Sequence, residues 1–200
     1  MRPPFRRNPG YNPRKSGGLL RGFGWFVVPE WDIVIAVSPK CGSSSFKQFF
    51  YMHEMENVQM IRRHEVNPNS EIYFVVRHPL DRFISLWKSK CRDRARIMDT
   101  SVYGMTQQEL MDHILAGRRD VHWTPQTTLL GDVKATLIPL ENLNQWWSDS
   151  GYGDLCRFNS TDGEVMLSDE LKNRILTFYA DDVVLYDKAV EDYNPKQLDK

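Results

Sequence analysis

Ser38-Pro39-Lys40-Cys41-Gly42-Ser43-Ser44-Ser45-Phe46 joins two segments of opposite character. Before it, Asp32 to Val37 (DIVIAV) is an apolar, β-branched run that reads as a buried strand; after it, Phe46 to Met55 reads as a helix. In such a strand, loop, helix unit, Gly42 lets the backbone approach a ligand closely and the serines offer hydroxyls. The first N–H groups of the helix point at whatever sits in the loop. An anion, most naturally a phosphate, suits that arrangement, and Lys40 adds a mobile positive charge. A tight turn whose serines cap the helix is the alternative reading of this stretch alone. The order is not that of a nucleoside-triphosphatase loop, in which Lys follows the last glycine: here Lys40 precedes Gly42, which disfavours ATP hydrolysis.

Two hundred residues with 41% apolar and 12% aromatic content predict one globular domain with room for a three-layer core. Formal net charge is zero, yet residues 1–140 carry 20 Lys+Arg against 13 Asp+Glu, and residues 141–200 carry 6 against 13. The loop lies in the basic part, which suits an anionic ligand. Residues 1–22 combine four prolines, four glycines and six basic residues and read as a flexible basic arm, with a single domain over 23–200. Cys41, Cys91 and Cys156 are odd in number and widely spaced, so neither a disulfide framework nor a metal site is indicated and a reducing compartment is expected. There is no apolar signal core and no run of about 20 apolar residues. The chain therefore reads as soluble and cytoplasmic, with no membrane span.

Phe23 to Val28 and Trp31 to Val37 read as two strands of a hairpin that delivers the chain to the loop. Val58 to Glu65 reads as a short strand and Ile72 to Arg77 (IYFVVR) as a strongly apolar one. Pro79 marks the start of a helix running through Leu80 to Arg96. Thr106 with Glu109 makes a capping box for a helix through Leu115. Lys134 to Leu140 is a further strand, Asn142 to Trp147 a short helix, Cys156 to Glu164 a polar loop, and Ser168 to Tyr179 a helix capped by Ser168. Strands alternating with helices imply parallel β-α-β units, hence an α/β fold with a central, mainly parallel sheet flanked by helices.

Arg77-His78-Pro79-Leu80-Asp81-Arg82-Phe83-Ile84-Ser85 lies at a second strand-to-helix junction. In a parallel sheet the carboxyl ends of neighbouring strands share one edge, so Arg77 and the Lys40 loop converge on one crevice. Arg77 offers a planar fork for a phosphate and Ser85 a hydroxyl, and two anion sites at one edge fit a ligand phosphorylated at both ends. In isolation the same residues also read as an Arg77–Asp81 pair and a surface serine.

Pro39-Lys40-x-Gly42-Ser43-Ser44-Ser45 resembles the 5'-phosphosulfate loop of sulfotransferases, which use 3'-phosphoadenosine 5'-phosphosulfate (PAPS). Arg77-x-Pro79-x-x-Arg82-x-x-Ser85 resembles their 3'-phosphate motif, in particular that of the carbohydrate sulfotransferase branch. His122-Trp123-Thr124-Pro125-Gln126, with Leu129-Leu130, resembles a His-Trp-x-Pro-Gln segment of that branch. Leu137 to Leu143 (LIPLENL) and Tyr179 to Tyr186 (YADDVVLY) are similar to later family segments. The likeness spans Gly24 to Val190 and implies the P-loop-like, three-layer sulfotransferase fold. It further implies transfer of a sulfuryl group from PAPS to a hydroxyl acceptor, a glycan or small molecule, leaving adenosine 3',5'-bisphosphate (PAP). Two departures stand out: Leu129 and Leu130 occupy positions near which the family often has a cysteine, and the segment before Ile72 is short.

In that scheme Lys40 stabilises the departing oxygen, and Pro39, Lys40, Cys41, Gly42, Ser43, Ser44, Ser45 and Phe46 hold the 5'-phosphate and sulfonate. Arg77 and Ser85 anchor the 3'-phosphate with help from Arg82, and no metal is required. His53, His122, Trp123 and Gln126 are expected to shape the acceptor site. For the general base His64 is the first choice, because it ends a strand at the same sheet edge as Lys40. His53, His122, Glu54 and Glu65 stay open as alternatives. Two other classes compete. Cys41 followed by Lys47 imitates the Cys-x5-Arg loop of a thiolate phosphatase, and the basic arm would suit a nucleotide- or nucleic-acid-binding module. No stable nucleic-acid complex is expected, and the sequence does not reveal an oligomeric state.

Overall fold

The computed structural model describes residues 24–55, 57–92, 101–155 and 164–193. The arm over 1–22, the far end of the helix predicted to Arg96 and most of the polar loop from Cys156 lie outside them. Five strands form one sheet: β1 (Trp25–Val28), β2 (Ile33–Val37), β3 (Gln59–Ile61), β4 (Glu71–Val76) and β5 (Thr136–Pro139), in the order β3-β1-β2-β4-β5. β1 pairs antiparallel with both β2 and β3, while β2, β4 and β5 pair in parallel, so only β1 opposes the other four. The expected hairpin is present, with Trp25 opposite Ala36.

Alternation along the strands assigns the two faces. Ile33, Ile35 and Val37 of β2 join Tyr73 and Val75 of β4 on one side. There they meet Phe46, Phe49 and Phe50 of α1 (Ser43–Met52) and Trp146 and Trp147 of α5 (Leu143–Asp149). Val34 and Ala36, with Ile72, Phe74 and Val76, face the other way, against Leu130 of α4 (Gln126–Leu130) and Ala189 of α7 (Ala180–Asp192). Helices thus cover both faces, because β2 and β4 carry apolar side chains on both. A satellite core joins Phe83 and Leu86 of α2 (Pro79–Trp87), Leu110, Met111 and Ile114 of α3 (Gln107–Leu115), and Leu171 and Ile175 of α6 (Asp169–Phe178).

Local signals placed several boundaries correctly. Thr106 accepts from the Glu109 N–H while the Glu109 carboxylate accepts from Thr106, and Ser168 accepts from the Leu171 N–H. Others moved. α1 starts at Ser43 rather than Phe46, and the strand expected over Val58 to Glu65 is only Gln59–Ile61, followed by a 3-10 turn at Arg63–Glu65. After α2 the chain widens into a π turn at Lys88–Arg92. Helices α4 and α7 had no separate signal in the sequence. Among the described residues no helix is long and apolar enough to cross a membrane.

Candidate active site

β2 ends at Val37 and β4 at Val76, side by side and parallel, so the residues that follow them emerge at one sheet edge. The two motifs converge there as expected: the Arg77 guanidinium donates to the Lys40 carbonyl at 3.0 Å. Lys40 itself has φ 72° and Gly42 φ 92°, both left-handed. Gly42 is the N-cap of α1 and makes no side-chain cap; its carbonyl accepts from the Ser45 N–H at 2.9 Å, and Ser43 and Ser44 open the helix beside the loop. The positive φ favours glycine at 42, and a Cβ there would also stand 3.2 Å from a Leu143 methyl and 3.3 Å from one of Leu140, tight contacts that those side chains would have to yield to. The Lys40 ammonium donates to Ser89 Oγ at 2.7 Å, and Ser89 in turn donates to the Leu86 carbonyl. Ser89 is in the π turn, four residues past the predicted Ser85, which is half-buried on α2.

Behind the loop lies a buried polar lattice. Gln126, with no exposed surface, accepts from the Arg77 N–H at 3.0 Å and donates to the Arg77 carbonyl at 2.8 Å. It thereby acts as an extra strand partner at the end of β4. The same Gln126 oxygen accepts from the Cys41 thiol at 3.2 Å and from Ser38 at 3.3 Å. Arg82 is 3% exposed and spends its guanidinium on the carbonyls of Pro39 (3.2 Å), Thr124 (2.8 Å) and His122 (3.4 Å). Asp182, fully buried, lies 3.7 Å from Arg82 and caps α4 by accepting from the N–H groups of Gln126 (2.8 Å) and Thr127 (2.9 Å).

The polar atoms of Arg82 and Gln126 are engaged by buried backbone groups, so both residues brace the loop and the end of β4. Trp123 is 5% exposed in the satellite core, with its carbonyl accepting from Tyr179 and its indole donating to the Arg118 carbonyl. The Phe46 ring and Cys41 side chain are likewise buried, leaving only their backbones for the loop. Burial pushes the Cys41 thiol above its ordinary pKa, against the opposing pull of Arg82, Ser38 and Arg77, so it is a protonated thiol turned away from the loop. A thiolate nucleophile at Cys41 is therefore not built here.

The histidines separate by place. His53 ends α1, against Phe49, about 15 Å along the helix axis from the loop. His64 is exposed on the 3-10 turn after β3. It is at the expected sheet edge, but β1 intervenes, so it stands two strand spacings, about 10 Å, from β2. His122 is on the turn before α4, 16% exposed, with Nδ1 against Asp120 at 2.5 Å. Asp120 carried no motif; only the structure reveals it. A cavity of about 470 Å³ adjoins Ser38 and Pro39, with Trp25, Phe74 and Leu129 in its walls and Arg62 and Arg63 at one side.

Fold and site together set two strand-to-helix junctions, carrying Lys40 and Arg77, side by side at the carboxyl edge of a mainly parallel sheet. The family model described as "Sulfotransferase family" matches residues 24–141, more than half of the chain, and the chain belongs to that family. No curated protein and no solved structure matches it significantly. Sulfuryl transfer from a sulfate donor to a hydroxyl acceptor is the activity that membership supports.

Proposed function

We propose that the donor is PAPS and that the loop from Pro39 to Ser45 binds its 5'-phosphosulfate in a P-loop-like manner, with Arg77 and Ser85 at the 3'-phosphate. The observation that supports this reading is the junction of Arg77 with the Lys40 carbonyl, which brings the two segments read as anion sites, 37 residues apart, onto one edge. Sulfuryl transfer is an in-line displacement in which charge builds on the oxygen leaving with the nucleotide. Preorganised donors around that oxygen supply the rate. Lys40, whose ammonium donates to Ser89, is the cation we assign to it. The α1 N–H groups and the hydroxyls of Ser43, Ser44 and Ser45 hold the non-bridging oxygens. Arg82, Gln126 and Asp182 keep both motifs in register.

For the acceptor we propose a carbohydrate hydroxyl. Supporting it are the likeness of His122 to Gln126 to the carbohydrate branch and the neighbouring cavity, where Arg62 and Arg63 can donate to sugar hydroxyls. The test is incubation with sulfur-labelled PAPS and a panel of defined oligosaccharides, phenols and aliphatic alcohols. Label on a sugar is the expected result; label on phenols alone overturns the carbohydrate assignment, and label on nothing overturns the enzyme reading.

A further inference from the structure

We propose that the cavity beside the loop takes the non-reacting end of the acceptor, an apolar group that terminates in an anion held by Arg62 and Arg63; the inference rests on the transfer reading above and names the class of acceptor. Strand register sets the spacing. Trp25 pairs with Ala36 on one side and with Ile61 on the other, so Arg62 and Arg63 stand level with Val37 and Ser38, two strand spacings or about 10 Å away. Ser38 and Pro39, directly before Lys40, line one part of the cavity and the two arginines another. Met60, Ile61, Leu129 and Val121 also line it, Val121 with 40% of its surface exposed. Hydroxyls find no partners on such side chains, whereas an apolar group leaves water there with a gain of about fourfold in affinity per methylene.

The arginines favour a charge. Among the described residues that line the cavity there is no Asp or Glu, and no carboxylate of a described residue stands within ion-pair distance of either guanidinium. Glu65, close by in sequence, accepts instead from the Arg62 backbone N–H at 2.6 Å. Arg63 is seated: its Nη1 donates to the Thr128 carbonyl of α4 at 3.0 Å. A Cβ on Gly131 would stand 2.0 Å from that Nη1 and 2.6 Å from Cζ, so the bare glycine makes the notch that the guanidinium fills. The other donors of the fork, with those of Arg62, are left for a ligand, and a guanidinium bonds an anion more strongly than a hydroxyl. The offset of about 10 Å decides where the anion sits. A carboxylate on the sugar ring that is being sulfated falls short of the arginines, whereas an extended chain of about eight carbons spans the distance. The acceptor so defined is a glycoside with an apolar, acid-ended aglycone.

The test separates chain, charge and transfer. Calorimetry with PAP present, which keeps the donor loop filled, compares octanoate, octanol and glucuronate. Octanoate is expected to bind about tenfold more tightly than octanol because of its charge, and more tightly than glucuronate because of its chain. In Arg62→Gln/Arg63→Gln the preference over octanol should vanish, with the PAP-induced rise in melting temperature retained. Octanoate bound no better than octanol or glucuronate, or held equally well by the double variant, overturns the proposal. In transfer, the sugar that takes label in the panel above is offered as a glycoside of 8-hydroxyoctanoate and as its methyl glycoside. The first should have a kcat/KM about 10- to 10²-fold higher in wild type, and the advantage should be lost in the double variant. Equal values in wild type overturn the assignment of the cavity to the acceptor. Failure of every sugar to take label overturns the carbohydrate reading instead, while octanoate binding still tests the arginines, so the two failures are distinguishable.

Discussion

Lys40 and Cys41 are chain neighbours with opposite fates, and the difference is one of burial. Lys40 reaches Ser89 at the mouth of the loop, whereas Cys41 has no exposed surface and a thiol whose pKa is raised. Lys40→Ala should lower kcat by about 10²- to 10³-fold, the scale for loss of one oxyanion donor. PAP affinity should fall much less, because the lysine's contact strengthens as charge develops. Comparing kcat with the PAP dissociation constant checks this. Cys41→Ser should keep turnover within a few-fold, and the native thiol should resist alkylation at pH 7. Lys40 and Arg77 were legible in the sequence because each sits at a strand end, where a parallel sheet must bring them together. Ser89 was not, since its bond to Lys40 depends on a π turn that no spacing announces.

At the level of elements, α7 explains why a remote segment bears on the site. Tyr179, Asp182 and Tyr186 recur at helical spacing and so share one face. Tyr179 donates to the Trp123 carbonyl, Asp182 caps α4, and Tyr186 bonds Glu141 and meets the His78 ring edge-on at 5.2 Å. One helix face thereby locks the turn carrying His122, the helix carrying Gln126 and the junction carrying Arg77. Asp182→Ala leaves Arg82 as an uncompensated buried charge and uncaps α4; urea unfolding should show a loss of about 3–5 kcal/mol. Thr106→Ala removes only the cap of a distant helix and should cost about 1 kcal/mol without changing kcat. The Thr106 capping box was readable because its partners are three residues apart; the α7 face was not, because its partners lie 45 to 56 residues away or more.

At the scale of the molecule, the sheet order puts β2 and β4 side by side in its interior, and their parallel pairing brings Lys40 and Arg77 out at one edge. The α/β class and the hairpin followed from apolar runs punctuated by Pro and Gly. The placement of β3 beyond β1 did not, because a three-residue strand carries little periodicity, and this displaced His64 from the centre. The central claim is that this edge holds a nucleotide phosphorylated at both ends. Its most direct test is the melting temperature with PAP and with ATP, for wild type and Arg77→Ala. At about 100 times its dissociation constant, PAP should stabilise the wild type by about 2.7 kcal/mol, a rise of about 5–10 °C for a chain of this size. ATP, which lacks a 3'-phosphate, should give distinctly less at the same concentration, and Arg77→Ala should erase most of the difference. Equal shifts from PAP and ATP, or a PAP preference untouched by Arg77→Ala, would contradict the account.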